Sequence, residues 1–310
     1  MEEPASTDAG AADEEATILL PASLLARYRM FSLYNSPYPA HDRSCAVDLY
    51  PESNTGVSPV AGAVVDTRTV RCPDRSYAVD HDHLIVVDTG DSLARILHVN
   101  PAVEAGDVVA VGDSLGEMVR SGFFGRWVDN HVHLELRDRE KNPYRASGSE
   151  PLAAAVDVTP LSWDGTGTVV ETGSSYAILD APGRPASLGD SDFTAVADDD
   201  GIPLDGGLCH YTGGGVPGAI EASKVNNSTT GDDVQFLGTT VGTRVGRHVD
   251  WADVDVLANG ERITGLSLFA SRERGGVKLV TRPEAGDPQF AVGDTVEVDL
   301  VASDDPVRLG

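Results

Sequence analysis

The segment His131-Val132-His133-Leu134-Glu135-Leu136 decides how this chain is read. Strict alternation of polar and apolar residues is the pattern of a β-strand, whose side chains project to opposite faces in turn. His131, His133 and Glu135 then share one face, and Val132, Leu134 and Leu136 the other. The apolar face seals a core. The two imidazoles stand side by side, about 7 Å apart along the backbone. Such a pair can bind one metal ion together, or one ring can bind it while the other handles protons. Taken alone, an H-x-H strand is more often the half-exposed polar face of an ordinary sheet. A second triplet, His81-Asp82-His83, reads as a loop before a strand at Leu84.

The same texture extends in both directions. Upstream, Gly62-Ala63-Val64-Val65, Leu84-Ile85-Val86-Val87, Arg95-Ile96-Leu97-His98-Val99 and Asp107-Val108-Val109-Ala110-Val111 are of strand length and rich in β-branched residues. Each ends in a turn signal. Downstream, Gly167-Thr168-Val169-Val170, Tyr176-Ala177-Ile178-Leu179, Val277-Lys278-Leu279-Val280 and Val296-Glu297-Val298-Asp299-Leu300 repeat the pattern. Residues 16–25 are apolar enough for an opening strand or a short helix, and no long helical period follows. The chain reads as all-β. Residues 138–160 are polar and contain Lys141-Asn142-Pro143 and Ser147-Gly148-Ser149, which puts a domain boundary there. The expected organisation is a disordered acidic tail over 1–15, a first β domain over 16–155, and a β-rich barrel or sandwich over 160–310. Gly213-Gly214-Gly215 is expected to be a flexible loop, since no Lys-Ser/Thr follows it to make a phosphate cradle.

A length of 310 residues suits two domains of about 150 each. Asp and Glu number 49 against 23 Lys and Arg, a formal net charge of −26, and the only lysines are Lys141, Lys224 and Lys278. No segment is basic enough to displace counterions from phosphate, which excludes nucleic acid as a partner. No run reaches the roughly 18 apolar residues of a membrane helix. Residues 1–15 lack the basic start and apolar run of a secretory signal. Excess carboxylate with few lysines is the composition of a cytoplasmic protein in a salt-accumulating halophile. There a Debye length of about 3 Å silences repulsion between like charges. The acidity then concerns the solvent rather than a partner. Cys45, Cys72 and Cys209 are odd in number and lack CxxC spacing. They suit a reducing compartment, and neither a disulfide framework nor a cysteine zinc cluster.

The order of elements adds context to the H-x-H strand. First comes His41-Asp42-Arg43-Ser44-Cys45-Ala46-Val47-Asp48-Leu49, then Ser58-Pro59-Val60 before an apolar strand. A strand ending at His98, a hairpin with Val103-Glu104-Ala105-Gly106-Asp107-Val108, and the His131/His133 strand follow. This succession, over roughly residues 37–138, resembles the lysostaphin-type (LytM-like) zinc endopeptidases. The resemblance implies a β-sheet domain of the duplicated hybrid motif kind, zinc as cofactor, and hydrolysis of peptide bonds in a peptide or peptide-like substrate. It implies that Asp48 and His133 hold zinc, as the aspartate of the family's H-x-x-x-D motif and the second histidine of its H-x-H. It implies that His131 and His98 serve as proton-handling or oxyanion-stabilising groups. Two histidines and a carboxylate leave one zinc position open to water. The chain departs from the pattern at one point: Ser44, a poor ligand, stands four residues before Asp48. His41, seven residues before it, is the expected third ligand across a longer turn, and Cys45 and Asp42 are ligand-competent neighbours. Glu135 either orients His133 or is a surface carboxylate. Phe123, Phe124 and Trp127 either line the substrate groove or pack on the sheet.

Three readings of function follow. The first is a zinc metallopeptidase acting on short Gly- or Ala-rich peptides. The second is a catalytically degenerate LytM-like binding or scaffold protein whose C-terminal domain docks a protein partner. The third is a sugar- or phospho-transfer module with facing histidines and no carboxylate ligand, against which Asp48 argues. A lipoyl- or biotinyl-type carrier, suggested by the hairpin at 103–116, lacks the lysine it needs, since none precedes Lys141. His81, His83, His210 and His248 are expected to fill loops or pack.

Overall fold

The computed structural model describes residues 17–218 and 231–309. The acidic tail expected over 1–15 lies outside the described residues. The described residues are 46 % strand and 4 % helix, the all-β architecture that the short β-branched runs predict. The α-helices among the described residues are single turns, Ala22–Leu25 and Pro39–Asp42.

A ten-stranded sheet carries the histidine strand. Its successive neighbours include Met30–Ser32, Val47–Tyr50, Val132–Arg137, Leu93–Leu97, His81–Asp88 and Gly62–Arg71. These strands pair antiparallel, and His133 lies opposite Asp48 on one side and Leu97 on the other. Val132, Leu134 and Leu136 point into a core with Val47, Leu49, Ile85, Val87 and Ile96. That face locks the register, because a slip of one residue would drive the histidines into the core.

The triplet His81-Asp82-His83 is not a loop. It opens the strand His81–Asp88 and pairs with the end of Gly62–Arg71. Alternation turns Asp82 inward, fully buried, while His81 is exposed and His83 half-buried. Gly213–Gly215 is likewise a strand rather than a flexible loop, paired on both sides. Its glycines answer close packing: a Cβ on Gly214 would lie 2.2 Å from the Trp251 ring.

The second half builds a twelve-stranded sheet from Asp232–Phe236 at one edge to Glu261–Ile263 at the other. Its core gathers Trp163, Phe236, Trp251, Leu266 and Leu279. The halves are not independent beads. Val158–Leu161, Phe193–Val196 and Ala270–Ser271 extend the ten-stranded sheet beyond Met30–Ser32. Phe193, Ala195 and Ala270 enter the first core. A seam cluster packs Met30, Tyr50, Phe124 and Trp127 against Tyr211, Phe269 and Val280. Among the described residues no helix is long and apolar enough to cross a membrane.

Candidate metal centre

All six residues of Val132–Arg137 are buried, so the polar face of this strand is covered rather than solvated. Part of the cover is the segment that carries His41. Pro39 opens the helical turn Pro39–Asp42, where its missing N–H costs nothing. Ser44 then takes a left-handed backbone, φ 52°, and Cys45 N donates to Ala40 O at 2.6 Å. The chain reverses into Val47–Tyr50, and His41 is carried back over Asp48.

Hydrogen bonds assign the imidazole tautomers. His41 Nδ1 donates to Leu33 O at 2.9 Å. A carbonyl only accepts, so the lone pair of this ring sits on Nε2. His133 Nε2 donates to Glu135 Oε1 at 3.2 Å, which turns its Nδ1 toward His41 and Asp48. Glu135 is held in turn by Arg95, Ser149 and Arg137, the last at 3.1 Å. It is a buried orienting carboxylate and not a surface one.

His41 Nε2, Asp48 Oδ1 and His133 Nδ1 form a triangle with edges of 2.9, 3.3 and 3.6 Å. Zinc bonds of about 2.0–2.1 Å in a tetrahedron put neighbouring ligand atoms about 3.3 Å apart. The triangle therefore fits one ion of that size, and its donors are of the right chemical kind. These three residues form a group able to hold a metal ion. Asp42 is exposed, and Cys45 Sγ contacts Arg43 O at 3.7 Å, so neither joins the triangle.

Two more histidines flank it. His131 Nδ1 donates to Asp129 O at 2.9 Å and leaves Nε2 3.4 Å from Asp48 Oδ1. His98 Nδ1 donates to Asp82 Oδ2 at 2.5 Å, and Ser121 Oγ donates to the same oxygen at 2.7 Å. The His98 ring centroid lies 4.9 Å from that of His131 and 5.6 Å from that of His133. His98 holds a positive φ of 71°, unusual for a residue with a side chain. Asp82 Oδ1 takes its backbone N–H at 3.1 Å and helps to hold that conformation. Sequence reading passed over Asp82. The signal was present in the alternation of 81–88, which sets Asp82 on the face of Leu84 and Val86 once that segment is read as a strand.

The electrostatics follow from burial and proximity. Burial lowers the pKa of His131 to about 4 and also depresses that of His41. Burial acts on His133 in the same sense, but hydrogen bonds to Asp48 and Glu135 outweigh it and raise the value to about 9. Burial works against ionising Asp48, yet His131, His41 and His133 hold it well below the usual carboxylate range. Asp82 is similarly lowered to about 2, with His98 overriding its burial.

The centre opens into a cleft of about 310 Å³ whose walls include Tyr38, Phe123 and Phe124. Phe124 packs on His131 and His98, with centroid distances of 4.6 and 5.1 Å. Trp127 instead joins the seam cluster and packs on His210 at 5.3 Å. His83 contacts Thr69, and His248 packs on Tyr34.

The second half braces the centre from behind. Asp205 accepts from Leu33 N at 2.6 Å and from Ser32 Oγ at 2.5 Å. Leu33 is the residue whose carbonyl orients His41. Lys278 donates to Asp129 Oδ1 at 2.9 Å, and the carbonyl of Asp129 orients His131.

No curated protein and no solved structure matches the chain. Two family models do, described as the N-terminal and the C-terminal domain of a domain of unknown function, DUF8155. The chain thus carries both domains of that family in sequence order, the first over residues 19–154 and the second over residues 159–301.

Proposed function

We propose that this protein is a zinc-dependent hydrolase of peptide bonds, similar in its site to the LytM-like endopeptidases. One observation carries the reading. Two imidazole nitrogens and a carboxylate oxygen face one another at 2.9 to 3.6 Å, beside a cleft flanked by two further histidines. Electron-rich atoms at such distances repel unless a proton or a cation lies among them.

His41, Asp48 and His133 would hold the ion. Zinc bound there supplies Lewis acidity, polarising an amide carbonyl and lowering the pKa of water toward about 7. His131, with Nδ1–H fixed on Asp129 O, presents Nε2 to take the proton of the attacking water. As the C–N bond breaks, the same nitrogen returns that proton to the leaving amine. His98 faces the cleft with Asp82 behind it. The aspartate fixes the ring through Nδ1–H and leaves the Nε2 edge of His98 to face the developing oxyanion. The acidic, lysine-poor composition supports action in the cytoplasm of a salt-accumulating cell.

The test is metal analysis together with hydrolysis of glycine- and alanine-rich peptides by the full chain. The expected result is about one zinc per chain, lost in Asp48→Ala and His133→Ala. Activity should stop on chelation and return with zinc. A chain that takes up no stoichiometric zinc, or hydrolyses peptides equally well in chelator, rules the reading out. Zinc uptake without turnover on any such peptide returns the binding or scaffold reading.

A further inference from the structure

A second chamber of about 440 Å³ adjoins the cleft. Tyr38, Phe123 and Phe124 line both, so the two are compartments of one groove divided by aromatic rings. Their charges differ. The cleft side carries Asp48 and Glu135, and its one arginine, Arg95, is paired to Glu135. The second chamber is lined by Arg75, Arg126 and Arg282 against one carboxylate, Glu284. In a chain of net charge −26, this is a local reversal of sign.

Among the described residues no carboxylate forms an ion pair with these guanidinium groups. Arg126 Nη2 donates to Ser76 Oγ at 3.0 Å, and its guanidinium lies over the Tyr77 ring at 5.1 Å. Arg282 Nε donates to Thr264 Oγ1 at 3.0 Å. Those partners are neutral, and each leaves further N–H groups of the fork to donate. Arg75 is exposed at the chamber rim. The three arginines come from distant parts of the chain, and Arg282 belongs to the second half. The chamber therefore exists only where the halves meet.

We propose that this chamber is a specificity subsite for a carboxylate carried by the peptide near the bond to be cut. Guanidinium forks bind carboxylates through paired, charge-assisted N–H···O bonds. The aromatic walls reduce the screening that bulk salt would impose. The role as a specificity subsite rests on the hydrolase reading, whereas binding of the carboxylate does not.

The test titrates the full chain calorimetrically with tetraalanine and with tetraalanine amide, which differ only in the terminal carboxylate. Each titration is run with zinc and again in chelator. The free acid is expected to bind at least about tenfold tighter under both conditions, the scale of one charge-assisted hydrogen bond. Arg75→Gln, at an exposed position, should reduce that ratio, and Arg75→Gln with Arg282→Gln should bring it to about one at unchanged zinc content. Equal binding of acid and amide overturns the proposal, as does binding of neither or a preference that survives in the double variant. Displacement of the acid by inorganic phosphate more readily than by acetate overturns the choice of carboxylate. A chain that takes up no zinc when offered it, yet keeps the acid preference, removes the hydrolase and leaves the carboxylate site. A zinc-dependent hydrolase with no acid preference does the reverse.

Discussion

Replacing Asp205 by asparagine is expected to stabilise the protein, and to do so more as the pH rises. Asp205 is fully buried at the seam, holding Ser32 and Leu33. Burial above all, with a smaller push from the charge of Asp48, raises its pKa from 3.8 to about 7, against the pull of its hydrogen bonds. The folded chain keeps this carboxyl neutral up to about pH 7, while the unfolded chain ionises it near pH 4. A group whose folded pKa is raised gives its full contribution below the unfolded value and loses it as pH rises through the folded value. At about 1.36 kcal/mol per pH unit over a span of about three, the loss comes to about 4 kcal/mol. Asparagine escapes it, since its amide can donate to Ser32 Oγ and its carbonyl can accept from Leu33 N. The assay is urea unfolding of wild type and Asp205→Asn side by side, in chelator and constant salt, so that bound metal adds nothing. The series starts at pH 5.5, clear of the isoelectric point of about 4.4. Between pH 5.5 and pH 8 the advantage of the variant should grow by about 2 kcal/mol. Titration of the other carboxylates cancels in the difference. An advantage that does not change with pH, or a variant less stable than wild type at pH 8, refutes the assignment of a neutral Asp205.

Three further predictions concern the centre and its solvent. Glu135→Gln removes the charge that orients His133 and should weaken zinc binding by about 10- to 100-fold. Competition with a chromophoric chelator measures this, and an unchanged affinity counts against Glu135 as the orienting group. Asp82→Asn should leave zinc content intact and lower kcat on alanine peptides by about 100-fold, by unsettling His98. An unchanged kcat takes His98 out of the chemistry. Dilution from molar salt to about 0.1 M should lower the melting temperature, because charge repulsion across a chain of −26 is then screened less. A melting temperature indifferent to salt contradicts the halophile reading.

Strand texture and the facing of His131, His133 and Glu135 were legible because a period of two is a local property. The order of elements also singled out Asp48 and His133, which the sheet sets directly opposite each other. His41 was harder. Its reach depends on a reversal at Ser44 with φ 52°, and no residue pattern announces a left-handed serine. Asp82 was hidden by reading 81–83 as a loop, and a loop has no faces to assign. Gly213–Gly215 misled in the same way, since a run of glycines does not say whether it is flexible or tightly packed against.

Sequence alone therefore determined the all-β class and the acidic composition, and it singled out the residue types that meet at the centre. Each is written in composition or in patterns a few residues long. Tertiary structure decided that the two halves share one sheet, and that Asp205 and Lys278 brace the centre across separations of 172 and 149 positions. It also decided that three arginines from distant segments line one chamber. Contacts across such distances are set by packing of whole sheets and by the burial of charge, and no local periodicity encodes them.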